Sequence, residues 1–505
     1  MAILKKYRLL LIFLGLSALY LFTRLYNILL LPIFTDEAIY IRWAQIAAND
    51  PNWLFISLTD GKQPSYVWIA MYLIRMVEDP LLAGRLVSVI AGFFTMIGVY
   101  LLTNELFKKR WIALFLSLLY IIFPFSLVYD RLALYDSLVA TFTVWALYGE
   151  VLLVKYGQWK VAVWTGVVIG AGLLTKSIAN FSLILLPFSF LLFDFSKKQR
   201  RKRIIKWILQ AGVVVILAQL LSLIMRLSPY YYIVGQKDNV FIASFSEWIA
   251  NPFGRVIGNI DGLGGWLLTY LTIPFAIVIV ASFLNRQFMR EKLVLLLWFI
   301  IPFFALAFFG KVIYPRYLLF MAMPVLLLGG YGLCMLAGFL RYRAVQAIYL
   351  GIFIVSFVVT DYYILNDFNK AAIPQDDKGQ FLTNWPSGVG VPETVDYLKE
   401  QAKKGEIYVA TEGTFGLMPY ALEIYLGNNP NVTIKGFFWE LQDGAPPPEV
   451  VEASKKMPTY FVFYEPCGPC KVVGEAPPSW KNMEQIFQIE KEADGVYYTL
   501  YQVKY

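Results

Sequence analysis

Residues 9–31 read LLLIFLGLSALYLFTRLYNILLL, an apolar run long enough to cross the roughly 30 Å hydrocarbon core of a membrane. Lys5, Lys6 and Arg8 come before this run, which predicts a cytoplasmic N-terminus under the positive-inside rule. A cleaved signal peptide is the alternative, but the run is too long and no small-residue cleavage site follows it. We therefore interpret it as a retained membrane span.

The composition of the whole chain also indicates a membrane protein. Of its 505 residues, 58% are hydrophobic and 17% are aromatic, whereas the apolar fraction of soluble proteins is about 45 to 50%. The formal charge of +9 comes from short clusters of lysine and arginine between apolar segments, as in cytoplasmic loops. We therefore predict a polytopic α-helical membrane protein and do not expect nucleic acid as a partner.

The remaining apolar segments bring the predicted number of spans to about eleven. They lie at residues 83–106, 111–129, 132–154, 160–175, 178–195, 204–226, 264–284, 292–309, 317–339 and 345–363. Residues 65–77 are apolar too, but the stretch is short and Arg75 and Glu78 lie at its end. We interpret it as an interfacial helix.

This assignment sets the orientation of every later loop. It places basic clusters such as Lys108-Lys109-Arg110 and residues 197–203 in the cytoplasm, whereas counting residues 65–77 as a span would place them outside. We therefore expect a multi-pass protein of the plasma membrane. The charged residues expected at or near its exoplasmic face are Asp36, Glu37, Lys62, Asp130, Arg131, Asp136, Lys176, Lys311 and Arg316.

We predict two domains. Residues 1–363 form a transmembrane domain with an exoplasmic loop at residues 32–82. Residues 364–505 form an exoplasmic α/β domain, because polar residues replace the aliphatic ones after the last span. In this second domain we expect helices at residues 391–404, 417–426 and 448–456, and strands at residues 407–412, 432–439, 459–465 and 496–503.

The chain contains no histidine, which removes several classes of site. Ser-His nucleophilic triads, His-Glu-x-x-His metalloprotease sites and His-bound zinc all need an imidazole. A general base must therefore come from another side chain, and a carboxylate is the candidate.

Two of the three cysteines form the segment Cys467-Gly468-Pro469-Cys470-Lys471, and the third, Cys334, lies in an apolar run. The segment looks like a thioredoxin active site, which would indicate a membrane oxidoreductase. The motif should open a helix, however, and Gly474, Pro477 and Pro478 follow it instead. A local disulfide between Cys467 and Cys470, or a dithiol in a tight turn, fits this context better.

The loop after the first span carries Asp36 and Glu37 near its start and Lys62 near its end. Asp36 can cap an interfacial helix that starts near Glu37, or act as a general base toward an incoming hydroxyl, and both roles stay open. Lys62 can bind lipid headgroups, or neutralise a phosphate leaving group. Together these residue types suggest sugar transfer from a lipid phosphate.

Further charges lie at the ends of later spans. Arg131 and Asp136 flank one turn and can form a structural ion pair or belong to the site. Arg316 suits a bidentate contact to phosphate, and Lys176 and Lys311 suit a point contact, although snorkelling to the headgroups explains such cations equally well.

These residues resemble those of the polyprenyl-phosphate-sugar-dependent glycosyltransferases of the GT-C superfamily, which include protein O-mannosyltransferases and the lipid A aminoarabinose transferase. The resemblance covers most of the membrane region. It rests on Asp36-Glu37, Lys62-Gln63-Pro64, Arg131 to Asp136, Leu174-Thr175-Lys176 and Lys311 to Tyr317.

The resemblance implies roles for particular residues. The acidic pair of the first loop contains the family's presumed base, which maps onto Asp36, and the acidic residue of the next exoplasmic loop maps onto Asp136. The family's Lys-Pro-Pro becomes Lys62-Gln63-Pro64 here, with Gln63 inserted. Its Thr-Lys-Gly becomes Thr175-Lys176-Ser177.

We therefore expect an inverting glycosyltransferase that moves a sugar from a polyprenyl-phosphate donor to an exoplasmic acceptor, which could be a protein hydroxyl, a lipid or a glycan. Membrane lipids surround it, and no metal or other cofactor is expected. The catalytic candidates are Asp36, Glu37 and Asp136, and the candidates for binding donor phosphate are Lys62, Arg131, Lys176, Lys311 and Arg316. The alternative is a polytopic transporter or flippase for a lipid-linked or anionic substrate.

Overall fold

The computed structural model describes residues 2–438, 446–466 and 472–505, and it is mostly helical. Within these residues, seven helices are long and apolar enough to cross a membrane: Tyr7–Leu25, Pro80–Phe107, Tyr135–Tyr156, Arg200–Leu227, Met289–Phe309, Pro315–Ala337 and Arg343–Asn366. Four shorter apolar helices cover Ser65–Ile74, Arg110–Ile121, Trp159–Leu173 and Ser177–Leu192. The other helices are Thr35–Asn49, Pro124–Tyr129, Tyr232–Phe241, Phe245–Ala250, Gln375–Lys378, Val391–Ala402, Tyr420–Leu426 and Pro448–Ser454.

One predicted span, residues 264–284, is a bent pair of helices. Val256–Leu271 and Ile273–Leu284 meet at 94°, and the pair makes an eighth span only if both halves are counted together. Pro274 has no N–H to donate to the preceding turn, and Thr272 adopts a φ of +67°. The backbone therefore leaves the helical path just before the proline.

Proline also interrupts the predicted span at residues 111–129. The helix there ends at Ile121, and a separate short helix starts at Pro124. Pro124 occupies the first helical position, where its missing N–H costs nothing. The apolar run is continuous in sequence, but the structure divides it into two helices.

The apolar helix Ser65–Ile74 has 10 residues. At about 1.5 Å per residue it extends roughly 15 Å, about half of a membrane core. That this segment does not cross the membrane stays a prediction.

The chain forms two compact units. The first, here called the membrane unit, contains residues 1–28, 52–69 and 85–374. The second, here called the sheet unit, contains residues 29–51, 70–84 and 375–505. The sheet unit thus includes two parts of the predicted exoplasmic loop, whereas the prediction assigned that whole loop to the transmembrane domain. The sidedness of both units stays a prediction.

A five-stranded mixed sheet is the centre of the sheet unit. Its strands are β1 (Ile407–Glu412), β2 (Val432–Phe437), β3 (Thr459–Phe463), β4 (Met483–Glu490) and β5 (Tyr497–Val503), in the spatial order β2-β1-β3-β5-β4. β1 is parallel to β2 and β3, while β5 is antiparallel to β3 and β4. Phe461, Phe463 and Trp480 pack together in the core on one face of the sheet.

Candidate active site

Lys62 follows a turn that only glycine can make. Gly61 has a φ of +69°, and a Cβ there would lie 2.6 Å from Lys237 Cβ and 2.9 Å from the carbonyl oxygen of Ile233. The backbone N–H of Lys62 donates to the carbonyl of Ser57 at 2.9 Å. The turn therefore holds the start of the Lys62 side chain in a fixed place.

The residues after Lys62 are bound to the turn that carries Lys176. The Gln63 amide donates to the Ser177 hydroxyl at 2.7 Å, and the hydroxyls of Ser65 and Thr175 are 2.7 Å apart. Gln63, which departs from the family pattern in sequence, thus has a defined role here. It joins the two lysine-bearing turns.

Lys176 and Asp136 form an ion pair. The Lys176 Nζ lies 2.7 Å from Asp136 Oδ1, a length typical of a charge-assisted hydrogen bond. The side chain of Asp136 is 4% exposed and that of Lys176 is 23% exposed. Lys176 also lies over the ring of Tyr317, with its Nζ 4.7 Å from the ring centroid.

Lys62, Lys176 and Arg316 form one group of charges, here called the cation cluster. Burial lowers the pKa of the Lys176 ammonium, Asp136 raises it, and the positive charges of Arg316 and Lys62 lower it further. Arg316 and Lys62 therefore each lie close enough to Lys176 for their charges to act on it. The Arg316 guanidinium lies over the ring of Tyr314, 5.0 Å from its centroid, and the Lys62 ammonium lies 5.7 Å from the ring centroid of Phe241.

A second carboxylate, Asp238, lies near Lys62 of the cation cluster. Burial raises its pKa, while a hydrogen bond from the Ser177 hydroxyl at 3.3 Å and the positive charge of Lys62 lower it. With Asp136, this gives the cluster three cations and two carboxylates. The excess of positive charge and the aromatic faces suit an anion with several oxygens, such as a phosphate.

Asp36 and Glu37 lie in the first turn of the helix Thr35–Asn49, in the sheet unit. Glu37 is fully buried, and its carboxylate accepts the backbone N–H of Phe34 at 2.9 Å. Glu37 therefore closes the first turn of a helix that begins at Thr35, one residue before Asp36, rather than near Glu37 as the sequence suggested. Asp36 is the partly exposed member of the pair.

Arg131 contacts backbone at the end of the first span. Its guanidinium donates to the carbonyls of Thr23, Arg24, Tyr26 and Asn27 at 2.6 to 3.1 Å. The ion pair considered for this turn joined Arg131 to Asp136, whereas in the structure Asp136 pairs with Lys176. A contact of Arg131 with donor phosphate stays a prediction.

The neighbouring Asp130 is also part of the packing between helices. It pairs with Arg24 at 3.2 Å and accepts hydrogen bonds from the hydroxyls of Tyr120 and Ser137, both at 2.9 Å. A charged residue so deep in a membrane unit needs such partners.

Lys311 has partners of its own. Its ammonium lies 2.8 Å from the carboxylate of Glu247 and donates to the carbonyl of Asn239 at 3.0 Å. These contacts tie the end of the helix Met289–Phe309 to the segment around the helix Phe245–Ala250.

The remaining candidates concern redox and metal chemistry. Cys467 and Cys470, predicted as a possible disulfide, lie outside the described residues. Among residues 2–438, 446–466 and 472–505, no group of three or more Asp, Glu or Cys side chains is arranged to hold a metal ion.

The structure adds residues that the sequence did not indicate. Asp238 and Lys237 lie on the helix Tyr232–Phe241, a mixed polar segment with no distinctive motif, and Lys237 pairs with Asp60 at 2.6 Å. The Asp136–Lys176 pair joins residues 40 positions apart, a separation at which spacing carries no information.

The fold is that of the GT-C membrane glycosyltransferases, as the resemblance predicted. ArnT from Cupriavidus metallidurans, solved bound to undecaprenyl phosphate, matches with a TM-score of 0.56 at 13% identity, over 98% of this chain and 97% of that chain. The archaeal oligosaccharyltransferase AglB from Archaeoglobus fulgidus, solved with an inhibitory peptide and a dolichol-phosphate, matches with a TM-score of 0.53 at 16% identity, over 85% of this chain and 65% of that chain. This chain therefore spans less than two thirds of the length of the archaeal enzyme.

Residues 61–225 match the family model described as dolichyl-phosphate-mannose-protein mannosyltransferase. The matched range is less than half of the chain, but it contains Lys62, Asp136 and Lys176. No curated protein shows a significant match. The comparisons therefore show a shared fold over most of the chain and a family match over residues 61–225.

Proposed function

We propose that this protein is an inverting glycosyltransferase that moves a sugar from a polyprenyl-phosphate donor to an acceptor on the exoplasmic face of the plasma membrane. The observation that carries the proposal is the cation cluster, in which three cations lie over aromatic rings and outnumber the two carboxylates beside them, Asp136 and Asp238. A transporter can also bind an anion, but the GT-C fold favours the enzyme.

The proposed step breaks the bond between the anomeric carbon of the sugar and a phosphate oxygen. An acceptor hydroxyl oxygen attacks that carbon from the opposite face, and its proton passes to the Asp36 carboxylate as the new bond forms. The phosphate leaves with the electron pair of the broken bond. Lys62, Lys176 and Arg316 stabilise the charge that develops on it.

Two further carboxylates have supporting roles in this proposal. Asp136 holds the Lys176 ammonium through the 2.7 Å contact, so the cation is oriented before donor arrives. Glu37 fixes the first turn of the helix that carries Asp36. Asp36 is assigned as the base because it is the partly exposed acid of the pair.

The test is incubation of purified protein with a panel of polyprenyl-phosphate sugars and candidate acceptors, followed by mass spectrometry. Because the matched family is described as a dolichyl-phosphate-mannose-protein mannosyltransferase, hexosyl donors and peptides with hydroxyl side chains are tested first. We expect one donor to lose its sugar to an acceptor. Arg316→Met should abolish most of this transfer, while Lys370→Met, which removes a 70% exposed lysine, should leave it unchanged.

One observation favours a transporter as the second candidate. The helices Val256–Leu271 and Ile273–Leu284 meet at 94°, and broken helices of this kind often form substrate sites in transporters. Reconstituted vesicles distinguish the two functions. A flippase would move the intact sugar lipid between leaflets, and every sugar would still be attached to its phosphate.

A further inference from the structure

The C-terminal edge of the sheet carries a group of buried charges. The chain passes from β1 to β2 on one side, and β3 lies on the other side of β1, so this edge has the topological switch point typical of ligand and functional sites in open α/β sheets. Glu412 ends β1, and Tyr464 and Glu465 directly follow β3. Lys491 follows β4, which runs parallel to β3, so it lies at the same edge.

The side chain of one glutamate of this edge, Glu412, is hydrogen-bonded to the backbone of the other, Glu465. The Glu412 carboxylate accepts the N–H groups of Tyr464 at 2.8 Å and Glu465 at 2.9 Å. The Tyr464 hydroxyl donates to Glu465. Burial raises the pKa of Glu412 to about 8. Charged groups are costly at such depth, so their retention needs a reason.

Lys491 links this edge to a neighbouring loop. It is fully buried, and its ammonium donates to the carbonyl of Ser387 at 2.7 Å and to that of Trp385 at 3.2 Å. Burial lowers the pKa of Lys491 to about 7, while Glu465 and Glu412 act to raise it. The two glutamates thus favour the charged form that holds the loop.

The same loop is the backbone partner of residues 33–35. The Pro386 carbonyl accepts both the N–H of Thr35 at 3.0 Å and its hydroxyl at 2.9 Å. The Gly388 N–H donates to the Ile33 carbonyl at 2.7 Å. A Cβ at Gly388 would lie 2.6 Å from that carbonyl oxygen, so the approach requires glycine.

Thr35 is the first residue of the helix that presents Asp36. We propose that Lys491 is a positioning residue for Asp36, acting through the loop 385–388 and the backbone of residues 33–35. This inference rests on the proposed function, in which Asp36 is the base. Lys491 does not contact the reacting groups in this proposal. Its ammonium fixes the position from which Asp36 takes the proton.

The consequence of losing the ammonium follows from this geometry. Lys491→Met keeps an unbranched side chain as far as the Cε position but leaves two carbonyls of the loop without their donor. Misplacement of a reacting group by about 1 Å can lower a rate roughly 100-fold. We therefore expect turnover to fall by about 10- to 100-fold, while affinity for polyprenyl phosphate, which is assigned to the cation cluster, is unchanged.

The experiment compares Lys491→Met with Lys491→Arg and with the control Lys403→Met. Lys403 is 70% exposed and directly follows the helix Val391–Ala402, where it pairs with Glu400. Three quantities are measured on the full chain: single-turnover transfer at saturating donor, affinity for polyprenyl phosphate, and amide hydrogen exchange of the peptide containing Thr35. We expect Lys491→Met to lose turnover and to exchange roughly tenfold faster at that peptide, Lys491→Arg to recover much of both, and Lys403→Met to match wild type.

Thr35→Val tests the same connection between Lys491 and Asp36 at the residue next to Asp36, without changing a buried lysine. It removes the hydroxyl contact to Pro386, so turnover should fall and donor affinity should not change. In the double variant with Lys491→Met, the two losses should be less than additive, since both act through one loop. Independent, fully additive losses would overturn the proposal, as would faster exchange at Thr35 without loss of turnover. A wild-type protein that transfers no sugar from any donor would instead overturn the proposed function.

Discussion

Lys176→Met should change both donor affinity and folding stability, and the ion pair with Asp136 allows these two effects to be separated. Lys176→Met removes a cation of the cluster and also leaves a carboxylate that is 4% exposed without its counterion. Losing a charged hydrogen bond to phosphate costs about 1.5–3 kcal/mol, which corresponds to roughly 10- to 150-fold in donor affinity. Leaving a buried carboxylate unpaired costs about 3–5 kcal/mol of folding stability.

A second substitution, Asp136→Asn, distinguishes the loss of donor affinity from the loss of folding stability. In Lys176→Met with Asp136→Asn both charges are gone, so most of the lost stability should return, while the loss of donor affinity should stay. Asp136→Asn alone removes the group proposed to orient the Lys176 ammonium, so donor affinity should fall, but by less than in Lys176→Met.

The assay has two parts, thermal unfolding of the purified protein and binding of polyprenyl phosphate without sugar. Wild-type donor affinity in Lys176→Met would refute the assignment of Lys176 to the phosphate. A double variant whose donor affinity recovers together with its stability would show that the single substitution had acted through folding. Exposed Lys370→Met is the matched control for loss of one positive charge.

The other predictions concern the base, the remaining cations and the topology. Asp36→Asn should lower turnover by about 10²- to 10⁴-fold with little change in donor affinity, because a general base acts in the transition state; single-turnover kinetics near wild type would move the base to another carboxylate. Lys62→Ala and Arg316→Ala should each lower both the transfer rate and the affinity for donor. Titration with polyprenyl phosphate measures the affinity, and an unchanged value in both variants would refute their assignment to the donor phosphate. A cysteine replacing Gly405 should be labelled from outside intact cells and one replacing Gln199 should not, and the opposite pattern would reverse the topology.

Much of the fold follows from local patterns in the sequence. Long apolar runs between basic clusters predict a polytopic membrane protein, and the change to polar residues after the last span predicts the α/β domain. Strand β4 was missed because Glu484, Gln485 and Gln488 interrupt its apolar residues, and only pairing with β5 makes it a strand. The sequence contains Pro274, a residue that can break a helix, but hydropathy alone does not predict the break before it.

The candidate site was predictable as a set of residue types and less so as an arrangement. Lys62, Lys176 and Arg316 were singled out because cations at span ends suit phosphate, and the structure brings them together. The sequence does not say that Lys176 pairs with Asp136, or that Arg131 contacts the end of the first span. Such pairings depend on helix packing across long separations in the chain.

The sheet unit is assembled from pieces that are made at very different times. Residues 29–51 leave the ribosome roughly 320 residues before the segment that begins at residue 375, which is about 15 to 65 seconds at typical rates of synthesis. During that interval the backbone groups of Ile33 and Thr35 cannot yet bind residues 386–388, with which they pair in the finished protein. A premature stop after the last span would therefore remove the C-terminal domain and also leave the loop near the N-terminus without its backbone partners at residues 386–388.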